Sequence, residues 1–150
     1  DRGDRPVVRL SEIRTRAMAS YKHFEELPVW KEGAKMYNQV LDLLETHGPL
    51  FSAGFRNQID RAALSVPNNI AEGFDRITTG ELANFLGYAR GSASEVMSMC
   101  ATVMQRPKLK SAVSLLREIK RSAESCLRQL SAWSSQIEKG PVQGKRHRAS

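Results

Sequence analysis

Residues 109–137 read LKSAVSLLREIKRSAESCLRQLSAWSSQI, and the apolar positions in that stretch decide the fold. Leu109, Ala112, Leu116, Ile119, Ala123, Cys126, Leu130, Trp133 and Ile137 recur at spacings that alternate between three and four. An α-helix turns once in about 3.6 residues, so this alternation stacks the side chains into one stripe, whereas a half-buried strand repeats every second residue. A helix with such a stripe is stable only when other elements cover it. Gly140-Pro141 supplies the stop: glycine suits the residue after a helix, and proline cannot continue one.

Working towards the N-terminus, three further segments carry the same signal. Thr78 and Glu81 form a T-x-x-E capping box, with Ile77 and Leu82 placed to close a hydrophobic staple. The helix they open has the seam Leu82, Phe85, Ala89, Ala93, Val96, Cys100 and Val103, and ends at Pro107. Gly87 and Gly91 lie on a neighbouring stripe. Glycine costs about 1 kcal/mol in a helix interior, so the pair predicts close approach by another helix. A second helix, from about Ser52 to Glu72, buries Phe55, Ile59, Ala62, Ala63, Val66 and Ile70. Pro67 falls inside it, where its ring opposes the Ala63 carbonyl and predicts a kink, with Ser65, Asn68 or Asn69 bonding the freed groups. Gly73 is placed to end that helix as a C′ residue. The first helix opens near Pro28, takes the seam Leu27, Trp30, Ala34, Tyr37, Leu41 and Leu44, and stops at Gly48-Pro49.

Four amphipathic helices with short breaks between them predict an all-α fold, an antiparallel up-and-down four-helix bundle over residues 23–139. A basic arm (1–22) precedes it and a basic tail (140–150) follows. Met18, just ahead of the first helix, is a candidate natural start.

The 150 residues suit a single domain with its own apolar core, 41% of the chain being hydrophobic. No apolar run reaches the ~20 residues of a membrane span. Cys100 and Cys126 occupy apolar helical positions, which fits a reducing compartment and predicts a cytoplasmic protein. The net charge of +7 is unevenly spread. Residues 1–20 hold five Arg against three acids, residues 139–150 hold Lys139, Lys145, Arg146 and Arg148 with no acid, and residues 21–138 hold 14 basic against 13 acidic residues.

Catalytic chemistry finds little foothold. His23, His47 and His147 have no metal-ligand spacing to one another or to Cys, Asp or Glu. Without strands there is no phosphate loop, and no nucleophile-elbow serine or E-x-x-H pair occurs. The expectation is therefore no enzyme, no cofactor and no metal.

The distinctive polar run is QIDRAALSVPNNIAEGFDR, residues 58–76. Arg61, Ser65, Asn68 and Glu72 fall at i, i+4, i+7 and i+11, a polar stripe beside the apolar face; Glu81, Tyr88, Ser92 and Glu95 form one on the third helix. The stripes are read in two ways. One is a ligand or partner site. The other, which their position beside Pro67 favours, is an interhelical hydrogen-bond network that fixes register.

Together with Phe24-x-x-Leu27-x-Val29-Trp30, Phe85 and the segment from Ala89 to Glu95, this run resembles the 23S rRNA intervening-sequence protein family, the bacterial four-helix-bundle proteins. The resemblance spans roughly residues 24–130, and Arg61, Ser65, Asn69, Glu72, Gly73, Arg76, Gly91, Ser92 and Glu95 match its motif. It implies an up-and-down bundle assembled as a ring-like homopentamer. The chain is similar, more distantly, to the accessory variability protein of diversity-generating retroelements, a basic pentamer that binds nucleic acid and a reverse transcriptase. The Arg-rich arm and the basic tail lie outside the motif.

The fourth helix is locally basic: Arg106 to Arg128 includes seven cations against Glu118 and Glu124. Lys110, Arg117, Arg121 and Arg128 share the outer face, opposite the seam. With Lys145, Arg146 and Arg148 of the tail they form the candidate phosphate-contacting set, and no interleaved aromatic supports base stacking. Expected partners are other copies of the chain, RNA or DNA backbones, or alternatively a protein such as a polymerase, and no membrane.

Overall fold

Pro28, whose missing N–H costs nothing at a helix start, opens the first of four long helices in a computed structural model that describes residues 21–138. The helices are α1 (Pro28–His47), α2 (Ala53–Phe74), α3 (Thr79–Val103) and α4 (Val113–Glu138). Single 3₁₀ turns at Phe24–Glu26 and Gly48–Leu50 and a longer one at Pro107–Ala112 join or precede them. No strand occurs among the described residues. The arm to residue 20 and the tail from 139 lie outside them.

Each helix packs against its neighbours in sequence, and α4 closes the bundle against α1. Hydrogen bonds fix the directions. Gln58 and Ser65 of α2 meet Glu95 and Ser92 of α3, so the numbers rise on one helix as they fall on the other. Between α1 and α2, Gly33 lies against Pro67 while Tyr37 reaches Asp60, again running in opposite senses. The bundle is therefore antiparallel at both interfaces.

The core follows the sequence pattern closely in α2 and α4. Ile59, Ala62, Ala63, Val66 and Ile70 are buried on α2, and Leu109, Ala112, Leu116, Ile119, Ala123, Cys126, Leu130, Trp133 and Ile137 all face inward along α4 and its 3₁₀ lead-in. Arg56 clamps the α1–α2 turn by donating from Nη1 to the carbonyls of Phe51 (2.7 Å) and Gly48 (3.2 Å). Thr78 caps α3 in a capping box with Glu81, its hydroxyl accepting from the Glu81 N–H at 3.2 Å.

Four expectations are corrected. On α1 the innermost stripe is Val29, Gly33, Met36, Val40 and Leu43; Trp30, Ala34, Tyr37, Leu41 and Leu44 sit one residue round, half-buried. Two adjacent apolar stripes compete there, and Gly33 decides between them. A Cβ on Gly33 would lie 3.4 Å from the Pro67 nitrogen, so this face admits α2 most closely. Pro67 is buried in that contact, where a residue without an N–H leaves no donor bare, and α2 continues through it to Phe74. Gly73 is not a C′ residue either. It lies within the last turn, and a Cβ there would meet the Phe85 Cβ at 3.1 Å and Leu82 Cδ1 at 3.2 Å. Close approach of α3, not a left-handed backbone, requires glycine at 73.

The staple does not close, because Ile77 is 72% exposed although Leu82 is buried. Among the described residues nothing lies within 4 Å of a Cβ added at Gly87 or Gly91, so none of the four helices approaches them.

Candidate nucleic-acid interface

The outward face of α4 is set by its inward one. With Leu116, Ile119, Ala123, Cys126 and Leu130 buried, positions 117, 121 and 128 must point away from the core, and Arg117, Arg121 and Arg128 are exposed there. At 1.5 Å of rise per residue, Arg117 and Arg121 stand about 6 Å apart along the axis, and Arg121 and Arg128 about 10.5 Å. Lys110 is exposed in the 3₁₀ turn ahead of the helix. None of these four cations has a carboxylate within ion-pair distance among the described residues.

Three acids modify the face. Glu124 lies on the same stripe, with its carboxylate 3.8 Å from Lys120 Nζ, so that pair is locally neutral. Glu118 and Glu32 line a polar crevice of about 360 Å³ between α4 and α1, with Lys35, Gln39, Arg121 and Ser122. Arg121 thus borders two acids without pairing to either, while Arg117 and Arg128 lie outside the crevice lining. Ser122, buried on the same side, donates its hydroxyl to Gln39 Oε1 at 2.8 Å. Lys145, Arg146 and Arg148 lie outside the described residues.

The second set of candidates lies between α2 and α3. Ser92 Oγ donates to Ser65 Oγ at 2.9 Å, and Asn69 Nδ2 donates to the same hydroxyl (2.8 Å) and to the Ser65 carbonyl (2.7 Å). The Asn69 amide does not reach the Ala63 carbonyl, the group that Pro67 deprives of its usual donor. Gln58 donates to Glu95 across the same interface. Arg76 pairs with Glu72 at 3.2 Å, one turn earlier, and lies over the Phe85 ring at 4.5 Å from its centroid. Ser65, Asn69 and Ser92 are therefore brought together, Glu95 pairs separately with Gln58 on the exposed side of the interface, and Glu72 and Arg76 pair with each other near the end of α2. Arg61 and Asn68 are exposed and join none of these bonds. These bonds fix how far α3 can slide along α2, which is what an interhelical register lock does.

Sequence reasoning missed two bridges. Tyr37 donates its hydroxyl to Asp60 Oδ1 at 2.6 Å, and the Asp60 carboxylate raises the phenol pKa. The other is Ser122–Gln39. The available signal was a polar residue on a core-facing stripe: Ser122 falls between Ile119 and Ala123, where a hydroxyl needs a partner.

The thiols are inert by position. Burial raises the pKa of both Cys100 and Cys126 to about 12, so neither is a thiolate near neutral pH. Among the described residues no three His, Cys, Asp or Glu side chains gather closely enough to hold a metal ion, and no helix is long and apolar enough to cross a membrane.

A search of curated proteins finds no match to this chain. A family model does match, over residues 25–132, a span that begins just ahead of α1 and ends within α4 and so contains the whole register lock and most of the basic face. On that match, and on the four-helix architecture that carries it, the chain belongs to the family described as 23S rRNA-intervening sequence protein.

Proposed function

We propose that this protein is a non-catalytic, homo-oligomeric bundle that holds RNA or DNA backbones against the outer face of α4. The observation that carries the reading is the line of exposed, unpaired guanidinium groups at Arg117, Arg121 and Arg128, with Lys110 beyond. Cations without internal partners attract phosphates and release condensed counterions on binding, which yields affinity without sequence preference. The tail cations Lys145, Arg146 and Arg148 extend the same charge in sequence.

Assembly belongs to the same reading. Gly87 and Gly91 present open backbone on the exterior of α3, beside Tyr88, which is 61% exposed. A second copy packing there accounts for glycines that no contact within the chain explains, and the family resemblance implies a ring of five. Repetition around a ring multiplies a modest basic stripe into a large one. Two buried free thiols suit a cytoplasmic setting.

The test is affinity for mixed-sequence RNA across salt concentration, comparing the native chain with Arg117→Gln/Arg121→Gln/Arg128→Gln. Each lost phosphate contact flattens the log–log salt slope by about 0.7–0.9, so the triple variant loses roughly 2–3 units per engaged subunit. An unchanged slope, or no affinity of the native chain at low salt, rejects the reading. Light scattering checks the assembly, and a monomer mass at micromolar concentration removes the ring.

The exterior of α2 and α3 favours a second reading. Leu64 is 39% exposed on α2 and Tyr88 stands on α3, an apolar presentation that suits a scaffold or accessory subunit bound to a protein such as a reverse transcriptase. Capture of one specific protein after nuclease treatment, without RNA affinity, would favour this alternative.

A further inference from the structure

The end of the bundle where the α1–α2 and α3–α4 connections meet holds a cavity of about 320 Å³. Its walls are mixed, more apolar than polar. Phe51 and Phe55 stack with centroids 4.6 Å apart and planes 13° from parallel, and Val103 and Leu109 line it from the α3–α4 side. Leu50 lines it too while remaining 45% exposed, an unusual placement for a leucine. Two polar residues take part. Ser52 uses its hydroxyl oxygen to accept from the Phe55 N–H at 3.1 Å, capping α2. Arg106 is exposed, its guanidinium has no carboxylate or hydrogen-bond partner among the described residues, and no acid lines the cavity. Its backbone is held in the turn by bonds from its N–H to the Val103 carbonyl and from the Leu109 N–H to its own carbonyl, each 3.0 Å.

We propose that this cavity binds a small monocarboxylate with an aromatic or branched apolar body. The body displaces water from the phenylalanine, valine and leucine surfaces, and the carboxylate pairs with the free guanidinium of Arg106. Size and polarity narrow the class. A volume near 320 Å³ stands at the lower end of the range for small-molecule sites, roughly 300–1,000 Å³, which suits one ring with a short chain and not a peptide segment. A nucleobase fits less well, because Arg106 can serve only its acceptors and its edge donors would find no acceptor beyond an already engaged serine hydroxyl, and buried polar groups without partners are costly. The site is separate from the α4 face and does not depend on nucleic-acid binding.

The experiment is NMR titration of the full chain with 3-phenylpropionate, its uncharged amide and acetate. The expected result is saturable shifts for Leu50, Phe51, Phe55, Val103 and Leu109 with the first probe. Loss of one charge-assisted pair should weaken binding about tenfold, so the amide and the variant Arg106→Gln each lose about that factor. Acetate, lacking the apolar body, should leave the methyl signals unmoved. Arg106 is a surface side chain, so its replacement leaves the fold intact, and Leu50→Asp offers a second surface variant that repels the anion from the rim. The proposal is overturned if 3-phenylpropionate leaves those signals unmoved, if Arg106→Gln binds as tightly as the native chain, or if the same signals move on protein dilution alone, which would mean that a second copy fills the cavity.

Discussion

Two glycine-to-alanine substitutions, Gly73→Ala and Gly87→Ala, should move stability in different directions although both lie in helices. At Gly87 an added Cβ meets nothing within 4 Å. In the dissociated chain only the backbone propensity then acts, and alanine should gain about 0.5–1 kcal/mol, whereas in an assembled protein the same methyl would fall on the proposed contact between copies. At Gly73 the same gain is available, but the new methyl would sit 3.1 Å from the Phe85 Cβ and 3.2 Å from Leu82 Cδ1. The Phe85 Cβ is one bond from its backbone and cannot swing aside, and Leu82 is fully buried, so α2 and α3 must separate by a few tenths of an ångström. Overpacking of this kind costs about 1–3 kcal/mol. The net effect at Gly73 is a loss of up to about 2 kcal/mol, and the two variants should differ by roughly 1–3 kcal/mol. For a chain of this length 1 kcal/mol moves Tm by about 4 °C, so the gap should be roughly 4–12 °C. The assay is thermal or urea unfolding of both variants at one protein concentration, low enough that light scattering returns a monomer mass for each. If Gly73→Ala gains as much as Gly87→Ala, the α2–α3 approach is looser than described and the reason given for glycine at 73 fails.

Two other outcomes follow from the polar bridges and the thiols. Tyr37→Phe removes the hydroxyl that Asp60 accepts at 2.6 Å and should cost about 1–2 kcal/mol in urea unfolding; a double-mutant cycle with Asp60→Asn that shows no coupling would refute the bridge. Alkaline stability should fall from about pH 9 upward. The folded thiols hold their protons to about 12, whereas an ordinary thiol releases its proton near 9.0, so in that window the unfolded chain has lost protons that the native one keeps. The raised Tyr37 phenol adds in the same direction. The double variant Cys100→Ala/Cys126→Ala should show a shallower decline between pH 9 and 12, and an unaltered slope would refute the buried-thiol account.

The sequence revealed helices more readily than it revealed the choice between neighbouring faces. On α4 the apolar stripe is narrow and polar residues flank it, so periodicity alone placed Leu116, Ile119, Ala123, Cys126 and Leu130 inside. On α1 the stripe carrying Trp30 and Tyr37 reads from the sequence as the seam, although the adjacent stripe of Val29, Met36, Val40 and Leu43 is also apolar. A residue without a side chain tipped the balance: Gly33 lets α2 come closest on its own face, a three-dimensional fact with no hydropathy signature. Gly73, Gly87 and Gly91 teach the same lesson. Gly87 and Gly91 are recognisable as unfavourable choices within a helix and Gly73 reads as a helix end, but only the packing shows that Gly73 is required inside the helix and that the other two face outward. The register lock was legible as a polar stripe, since Ser65 and Ser92 were both singled out. Its bonding pattern was not, because a hydroxyl or amide has several reachable partners and the rotation of the helices selects among them.

The arrangement separates three tasks by face, and helix geometry makes that separation possible. The inward stripe of each helix supplies burial. The flanks between α2 and α3, and between α1 and its two neighbours, carry the polar bonds that choose one register: Ser65–Ser92, Gln58–Glu95, Tyr37–Asp60 and Gln39–Ser122. Apolar contact alone tolerates sliding by a turn. A hydrogen bond between defined positions does not, because a one-turn slip moves the partners about 5.4 Å apart and, at the part-buried Ser65–Ser92, Tyr37–Asp60 and Gln39–Ser122 pairs, leaves polar groups unpaired. With register fixed from within, the outer positions are freed from structural duty. Arg117, Arg121 and Arg128 on α4 can then remain unpaired, and Gly87 and Gly91 on α3 can remain bare. Neither choice benefits an isolated bundle, since internal ion pairs would reduce charge repulsion and alanine would stiffen α3. Both fit the function proposed above, in which the exterior meets phosphates on one face and a further copy of the chain on the other.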